Sequence, residues 1–266
     1  MRAVRTWIFW MFCAVSVQAQ GWVMLESDIS GQTACTNQVV HLEGEKSLAG
    51  RLLTPASTFK IVIAWAGLES GRISPSTRIL CRDKHVAGTP RELDLREALH
   101  TSSNDYFVET FRRIGREKFI GYVQQSGFSS RALPEDWLEK NPDRVSRAGE
   151  ETVTARALHQ WFERVCVEGL SKEERVNHQL KEALFWGELP GGIRLYGKTG
   201  TSDGAARFVC LAEKGPMRHV FSSLVTYAKP GEGLQARAQA VKRVEDRAAE
   251  RLATPGTGII PSSREN

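Results

Sequence analysis

Apolar and polar positions follow two different periods along this chain, and the change of period divides it. Over residues 21–41 short apolar stretches are broken by Ser, Gly and Asn, which predicts an opening pair of strands before a turn at Glu43-Gly44. Residues 58–68 are apolar almost all round, through Ile61, Val62, Ile63, Trp65 and Leu68, and the run stops at Gly71. A helix without a polar face belongs in the interior. Helical spacing returns over 94–103, 105–114, 116–125, 152–167 and 171–184, with Gly115 and Gly127 as breaks. After Pro190-Gly191-Gly192 the pattern changes to strand over 193–198, 206–213 and 219–228, with turns at Lys214-Gly215-Pro216 and Pro230-Gly231. Consecutive strands with short connections form an antiparallel meander, and 234–252 reads as one amphipathic helix placed to cover it. Strands, helices, strands and a helix, in that order, predict an α+β fold. Its antiparallel sheet is built from both chain ends and flanked by helices, with a helical region inserted between them and a cleft at the junction.

The ends and the charge refine this picture. Met1-Arg2-Ala3-Val4-Arg5, an apolar run over 6–17, and Val17-Gln18-Ala19 make the three parts of a secretory leader, with cleavage expected after Ala19. The run is short for a membrane span, and no later segment reads as one, so the mature chain is expected to be periplasmic or secreted without a transmembrane segment. Residues 20–253 are expected to form one unit, and the tail 254–266, rich in Pro, Gly and Ser, reads as disordered. Net charge is +5 and falls to +3 when Arg2 and Arg5 leave with the leader. The bases are dispersed among acids, as over 237–247, which excludes a nucleic-acid stripe. Export permits disulfides among Cys35, Cys81, Cys166 and Cys210, in any of three complete pairings, and free buried thiols are equally compatible. Neither CxxC nor Cys/His spacing for a metal occurs, and nothing specifies an oligomer.

Candidate chemistry starts at Ser57-Thr58-Phe59-Lys60, which opens the apolar helix. A serine hydroxyl needs a base within hydrogen-bond reach, and a lysine three residues on stacks over it on one helical face. The helix start adds backbone N–H groups for a developing oxyanion. Two further motifs follow, Ser102-Ser103-Asn104 and Lys198-Thr199-Gly200-Thr201. His41, His85, His100, His159, His178 and His219 are scattered without ligand spacing, and no phosphate loop or dinucleotide fingerprint exists.

The three motifs in this order resemble the penicillin-recognising serine enzymes, and the chain looks most like the class D β-lactamases. Pro55-Ala56-Ser57-Thr58-Phe59-Lys60-Ile61, Gly67-Leu68-Glu69-Ser70-Gly71, Leu95-Arg96-Glu97-Ala98-Leu99 and Asp136-Trp137-Leu138-Glu139 carry the resemblance, which runs from about 52 to 252. It implies hydrolysis of a β-lactam amide through a Ser57 acyl-enzyme. Lys60 would be the base, the N–H groups of Ser57 and Thr201 the oxyanion hole, and Ser102 the proton donor to the departing nitrogen. Lys198, Thr199 and Arg237 would bind the substrate carboxylate, within a substrate site that also takes in Asn104, Gly200 and Trp137. No cofactor or metal is implied beyond N-carboxylation of Lys60 by carbon dioxide. Phe59, Ile63, Trp137 and Leu138 would wall that group, with the Trp137 indole N–H holding it.

Two departures point elsewhere. Asn104 stands where class D enzymes carry a valine, and of the family's Tyr-Gly-Asn only the glycine survives, in Ser126-Gly127-Phe128-Ser129. Ser-x-Asn resembles D,D-peptidases acting on peptidoglycan stem peptides and penicillin-sensor domains that are acylated without fast turnover. Those two readings stand beside the β-lactamase one.

Overall fold

The computed structural model describes residues 21–128, 152–202, 204–229 and 231–253. The leader, the tail beyond Ala253, and Trp137 with its neighbours lie outside the described residues. Strands β1 (Gly21–Asp28) and β2 (His41–Gly44) open the fold. A short 3-10 turn, Ala56–Phe59, then leads into helix α1 (Lys60–Glu69). A two-stranded ribbon, β3 (Ile79–Cys81) with β4 (Arg91–Leu93), precedes five helices: α2 (Leu95–Thr101), α3 (Asn104–Ile114), α4 (Arg116–Ser126), α5 (Ala155–Val167) and α6 (Glu174–Ala183). The described residues close with β5 (Phe185–Leu189), β6 (Ile193–Ser202), β7 (Ala205–Lys214), β8 (Met217–Thr226) and helix α7 (Gly233–Ala253). The sheet order β2-β1-β8-β7-β6-β5 is antiparallel throughout, so strands from both chain ends meet at the β1–β8 pair, as the period change predicts.

Each layer follows from its residues. Ala236, Ala240, Val244, Ala248 and Leu252 make a buried stripe along α7 at four-residue spacing, which lets the helix lie close on Phe208, Cys210, Phe221 and Val225 of the sheet. Glu26 on β1 ties the two layers together, accepting from Arg247 Nε at 2.9 Å and Arg251 Nε at 2.8 Å. Burial alone would raise its carboxyl, but hydrogen bonds from His219 and Arg247 and the charges of Arg247 and Arg251 hold it down at about 2. On the opposite face of the sheet, buried His159 of α5 bridges Ser27 Oγ at 2.8 Å and Ser222 Oγ at 2.9 Å.

Helix α1 is buried along its length from Lys60 to Leu68, inside a cage of α3, α4 and α6. Gly67 is the close approach: a β-carbon there would lie 2.8 Å from side-chain atoms of Ile73 and Thr110. At the start of α2, Asp94 and Glu97 form a reciprocal capping box, with N–H to carboxylate distances of 2.9 and 3.0 Å.

The expected boundaries need four corrections. The second strand begins at His41, so Glu43-Gly44 ends a strand rather than forming the turn after it. The helix expected to start at 58 begins as the tight 3-10 turn around Ser57. β5 directly follows α6, and its burial shows no inside–outside alternation because it is an edge strand. β3 and β4 are three residues each, too short for a period to show. Cys35, Cys81, Cys166 and Cys210 are all free thiols. Among the described residues no helix is long and apolar enough to cross a membrane.

Candidate active site

The local fold presents Ser57 by itself. Ala56 sits in the left-handed region at φ 51°, an uncommon place for a residue with a β-carbon, and turns the chain sharply before the serine. Thr54 Oγ1 accepts the Ala56 N–H at 3.2 Å, while the Thr58 N–H and hydroxyl donate to Pro55 O at 3.3 and 2.7 Å. Thr58, Phe59 and Lys60 are buried and Ser57 is half-buried. The first N–H bonded within the turn is that of Thr58, so the Ser57 N–H precedes the turn's own ladder. Strand β6 packs against this turn at Gly200, where a β-carbon would stand 2.8 Å from Pro55 O and 3.2 Å from Thr58 N.

Lys60 Nζ is buried and donates to Ser102 O at 2.6 Å, Asn104 Oδ1 at 2.8 Å and Ser102 Oγ at 3.2 Å, with the Phe107 ring centroid 5.7 Å away. The amine is held by the oxygens of the second motif. That motif occupies the junction of α2 and α3, where Ser102 is left-handed at φ 60° and ψ 38° and Ser103 caps α3 through the Tyr106 N–H.

Lys198 reaches the same hydroxyl from the sheet side, donating to Ser102 Oγ at 3.1 Å and to Thr199 O at 3.0 Å. Complete burial, followed by the charge of Arg237, lowers the Lys198 amine from 10.5 to about 7. Among the described residues no carboxylate pairs with it. The same field, after burial, lowers His100, whose ring lies 4.9 Å from Trp186. β5 pairs with β6 only as far as Tyr196, so Lys198 to Ser202 form an open edge beside the Ser57 turn. The Thr201 hydroxyl is buried there without a partner among the described residues, and Gly233 at the start of α7 packs on the Thr201 methyl. Arg237 lies one turn further along α7.

Ser57, Lys60, Ser102, Asn104, Lys198 and Gly200 therefore converge, with Thr199, Thr201 and Arg237 at the adjoining strand end and helix. Of the expected apolar wall, Phe59 and Ile63 are buried. Phe107 beneath the amine went unread in the sequence, as did Trp186 and Asp83, while His85 and His100 were read only as scattered histidines. Asp83 has no motif around it, and its relation to the site exists only in three dimensions. The group of oxygens around Lys60 Nζ suits a hydrogen-donating amine; a carbamate would turn anionic oxygens toward Ser102 O and Asn104 Oδ1. Among the described residues no cluster of His, Cys, Asp and Glu is placed to hold a metal.

Fold and motif geometry resemble those of the class D serine β-lactamases and of the penicillin-recognising transpeptidases. Residues 34–146 match the penicillin binding protein transpeptidase domain. The chain is 25% identical over 194 residues to β-lactamase OXA-10 of Pseudomonas aeruginosa, covering 70% of this chain but 66% of that protein, just under two thirds. β-Lactamase OXA-19 of the same organism is 25% identical over 221 residues, covering 78% of this chain and 77% of its own length. Among solved structures, OXA-427 class D β-lactamase superposes with a TM-score of 0.71 at 19% identity, over 88% of this chain and 98% of that one. The class D β-lactamase YbXI from Nostoc gives 0.69 at 18% identity, over 89% and 95%. These structures share the fold.

Proposed function

We propose that this chain is an exported serine hydrolase that opens β-lactam amides through an acyl-enzyme on Ser57. The observation that carries the reading is the Ser102 hydroxyl held between two lysines, 3.2 Å from Lys60 Nζ and 3.1 Å from Lys198 Nζ, beside a half-buried serine. In this reading Ser57 Oγ attacks the carbonyl carbon while the neutral Lys60 amine takes its proton. The oxyanion faces the N–H groups of Ser57 and Thr201. As the carbon–nitrogen bond breaks, the Ser102 hydroxyl gives its proton to the ring nitrogen and is reprotonated by Lys60. Water then attacks the ester, with Lys60 again as base. Lys198 and Arg237, with the Thr199 hydroxyl, attract the substrate carboxylate, and the positive field of the two cations selects an anionic substrate. Removal of the leader 1–19 during export to the periplasm belongs to the same reading, as does a single catalytic unit over 20–253.

A second reading rests on Asn104. Its Oδ1 accepts from Lys60 Nζ at 2.8 Å, which favours the amine over the carbamate. This supports a D,D-peptidase, or a sensor acylated without fast turnover, in which acylation outruns release. Intact-mass spectrometry of the chain mixed with a penicillin, with opened penicillin followed in parallel, separates the readings. A transient adduct with sustained product supports the β-lactamase; a lasting adduct supports the second reading. Absence of any adduct, or full activity in Ser57→Ala, defeats both.

A further inference from the structure

We infer that Asp83, a residue outside all three motifs, is the positioning residue that sets the proton donor Ser102. This deepens the proposed acylation of Ser57 and rests on it. Asp83 lies in the connection between β3 and β4, twenty residues before Ser103, and its carboxylate is buried. Three donors converge on it, two from the second motif and one from the residue just after it. The Ser103 hydroxyl donates to Oδ2, the Asn104 N–H to Oδ1 at 3.0 Å, and the Asp105 N–H to Oδ2 at 3.2 Å. These N–H groups open α3, so the carboxylate also meets the positive end of that helix.

Asp83 thus fixes the chain immediately after Ser102. His85, two residues on, fixes Ser102 itself: its Nε2 lies 3.1 Å from Ser102 O, the oxygen that Lys60 Nζ also reaches, and its Nδ1 lies 4.0 Å from Asp83 Oδ1. Ser102 needs this support, because a non-glycine residue at φ 60° persists only where its surroundings over-determine it. With the clasp in place, the hydroxyl stands between Lys60 and Lys198. Without it the helix junction is free to relax, and Ser102 loses its aim at the leaving nitrogen. The defect should therefore fall on leaving groups that require a proton. An amide nitrogen requires one; a thiolate leaves without one.

The test compares acylation of Ser57 by a penicillin and by a carboxylate-bearing thioester in the wild-type chain, Asp83→Asn and Ser102→Ala. Asp83→Asn keeps the shape but turns an amide N–H₂ toward backbone N–H donors. The expected result is a selective loss, about 10- to 100-fold with penicillin and about threefold or less with the thioester, matching the pattern of Ser102→Ala. Parallel losses with both donors, or no loss with either, overturn the assignment. If Asp83→Asn does not fold, Ser103→Ala, which removes one of the three donors, is expected to show the same selectivity in weaker form. Unselective behaviour there overturns the assignment equally. A wild-type chain acylated by neither donor defeats the proposed function, whereas an active wild type with an unselective Asp83→Asn defeats the role of Asp83 alone.

Discussion

Gly200 stands against Pro55 so closely that a β-carbon would lie 2.8 Å from the Pro55 carbonyl oxygen. The strand that carries Lys198 and the turn that carries Ser57 are thereby locked to one spacing. Gly200→Ala should force them apart by a few tenths of an ångström or more, because the opposing atom is backbone and cannot rotate away. Small displacements of reacting groups cost about 100-fold when they reach 1 Å. Acylation by penicillin is expected to fall by about 10- to 100-fold, with the thermal midpoint lowered by only a few degrees. Unchanged acylation in the alanine variant would show that the contact does not set the site.

Lys198 is buried without a carboxylate partner among the described residues, so its charge is a cost to folding. The folded chain releases its proton near pH 7, whereas the unfolded chain holds it to about 10.5. Between those values the unfolded state binds more protons, and the linkage relation makes stability rise with pH across that window. Below pH 7 the penalty is complete. Lys198→Met should abolish acylation yet stabilise the fold at pH 6 by about 2–4 kcal/mol, a rise of roughly 5–15 °C in thermal midpoint. That gain should shrink as the pH approaches 10. Thermal melts of both proteins across this range decide it; a variant less stable at pH 6, or a difference independent of pH, contradicts the argument.

The motifs were legible because each depends on local spacing: Ser57 with Lys60, Ser102 with Asn104, and Lys198 with Gly200. The architecture was legible because the hydrophobic period changes at Pro190, and α7 announces its buried stripe at four-residue intervals. What stayed hidden is non-local. Asp83 meets the second motif from a different loop, and Phe107 lies under Lys60 from a separate helix. β5 is an edge strand whose half-exposed positions leave no alternation to read. The hydrogen bonds from Lys60 to Ser102 depend on the left-handed junction between α2 and α3, which no spacing predicts.

Asn104 makes carbon dioxide chemistry at Lys60 testable. Its amide oxygen accepts from the lysine at 2.8 Å, together with Ser102 O at 2.6 Å, and so favours an N–H donor there over the anionic oxygens of a carbamate. Added bicarbonate is therefore expected to leave wild-type activity unchanged. Asn104→Val replaces the acceptor with an apolar wall, which lowers the cost of a neutral amine and should make activity respond to bicarbonate. Carbon-13 NMR with labelled bicarbonate provides a readout independent of turnover, with no carbamate resonance expected for the wild type and one for the variant. A wild-type carbamate signal would refute the preference for the amine.

Arg237 influences the site from α7 through its charge, and its effect on Lys198 gives it a signature beyond substrate binding. Burial is the larger cause of the low Lys198 value and Arg237 the second. Removing the guanidinium leaves burial in place but takes away the repulsion, so Lys198 should hold its proton to higher pH. If carboxylate binding needs a charged Lys198, as proposed, the alkaline limb of kcat/KM for a penicillin reports that proton in the free enzyme. Arg237→Gln is expected to raise KM, since one of the two cations proposed to bind the carboxylate is lost, and at the same time to move the alkaline limb upward. A residue that only braced α7 would alter KM or stability without moving the limb. Profiles for the two proteins across neutral to alkaline pH distinguish these cases, and an unmoved limb would remove Arg237 from the electrostatics of the site.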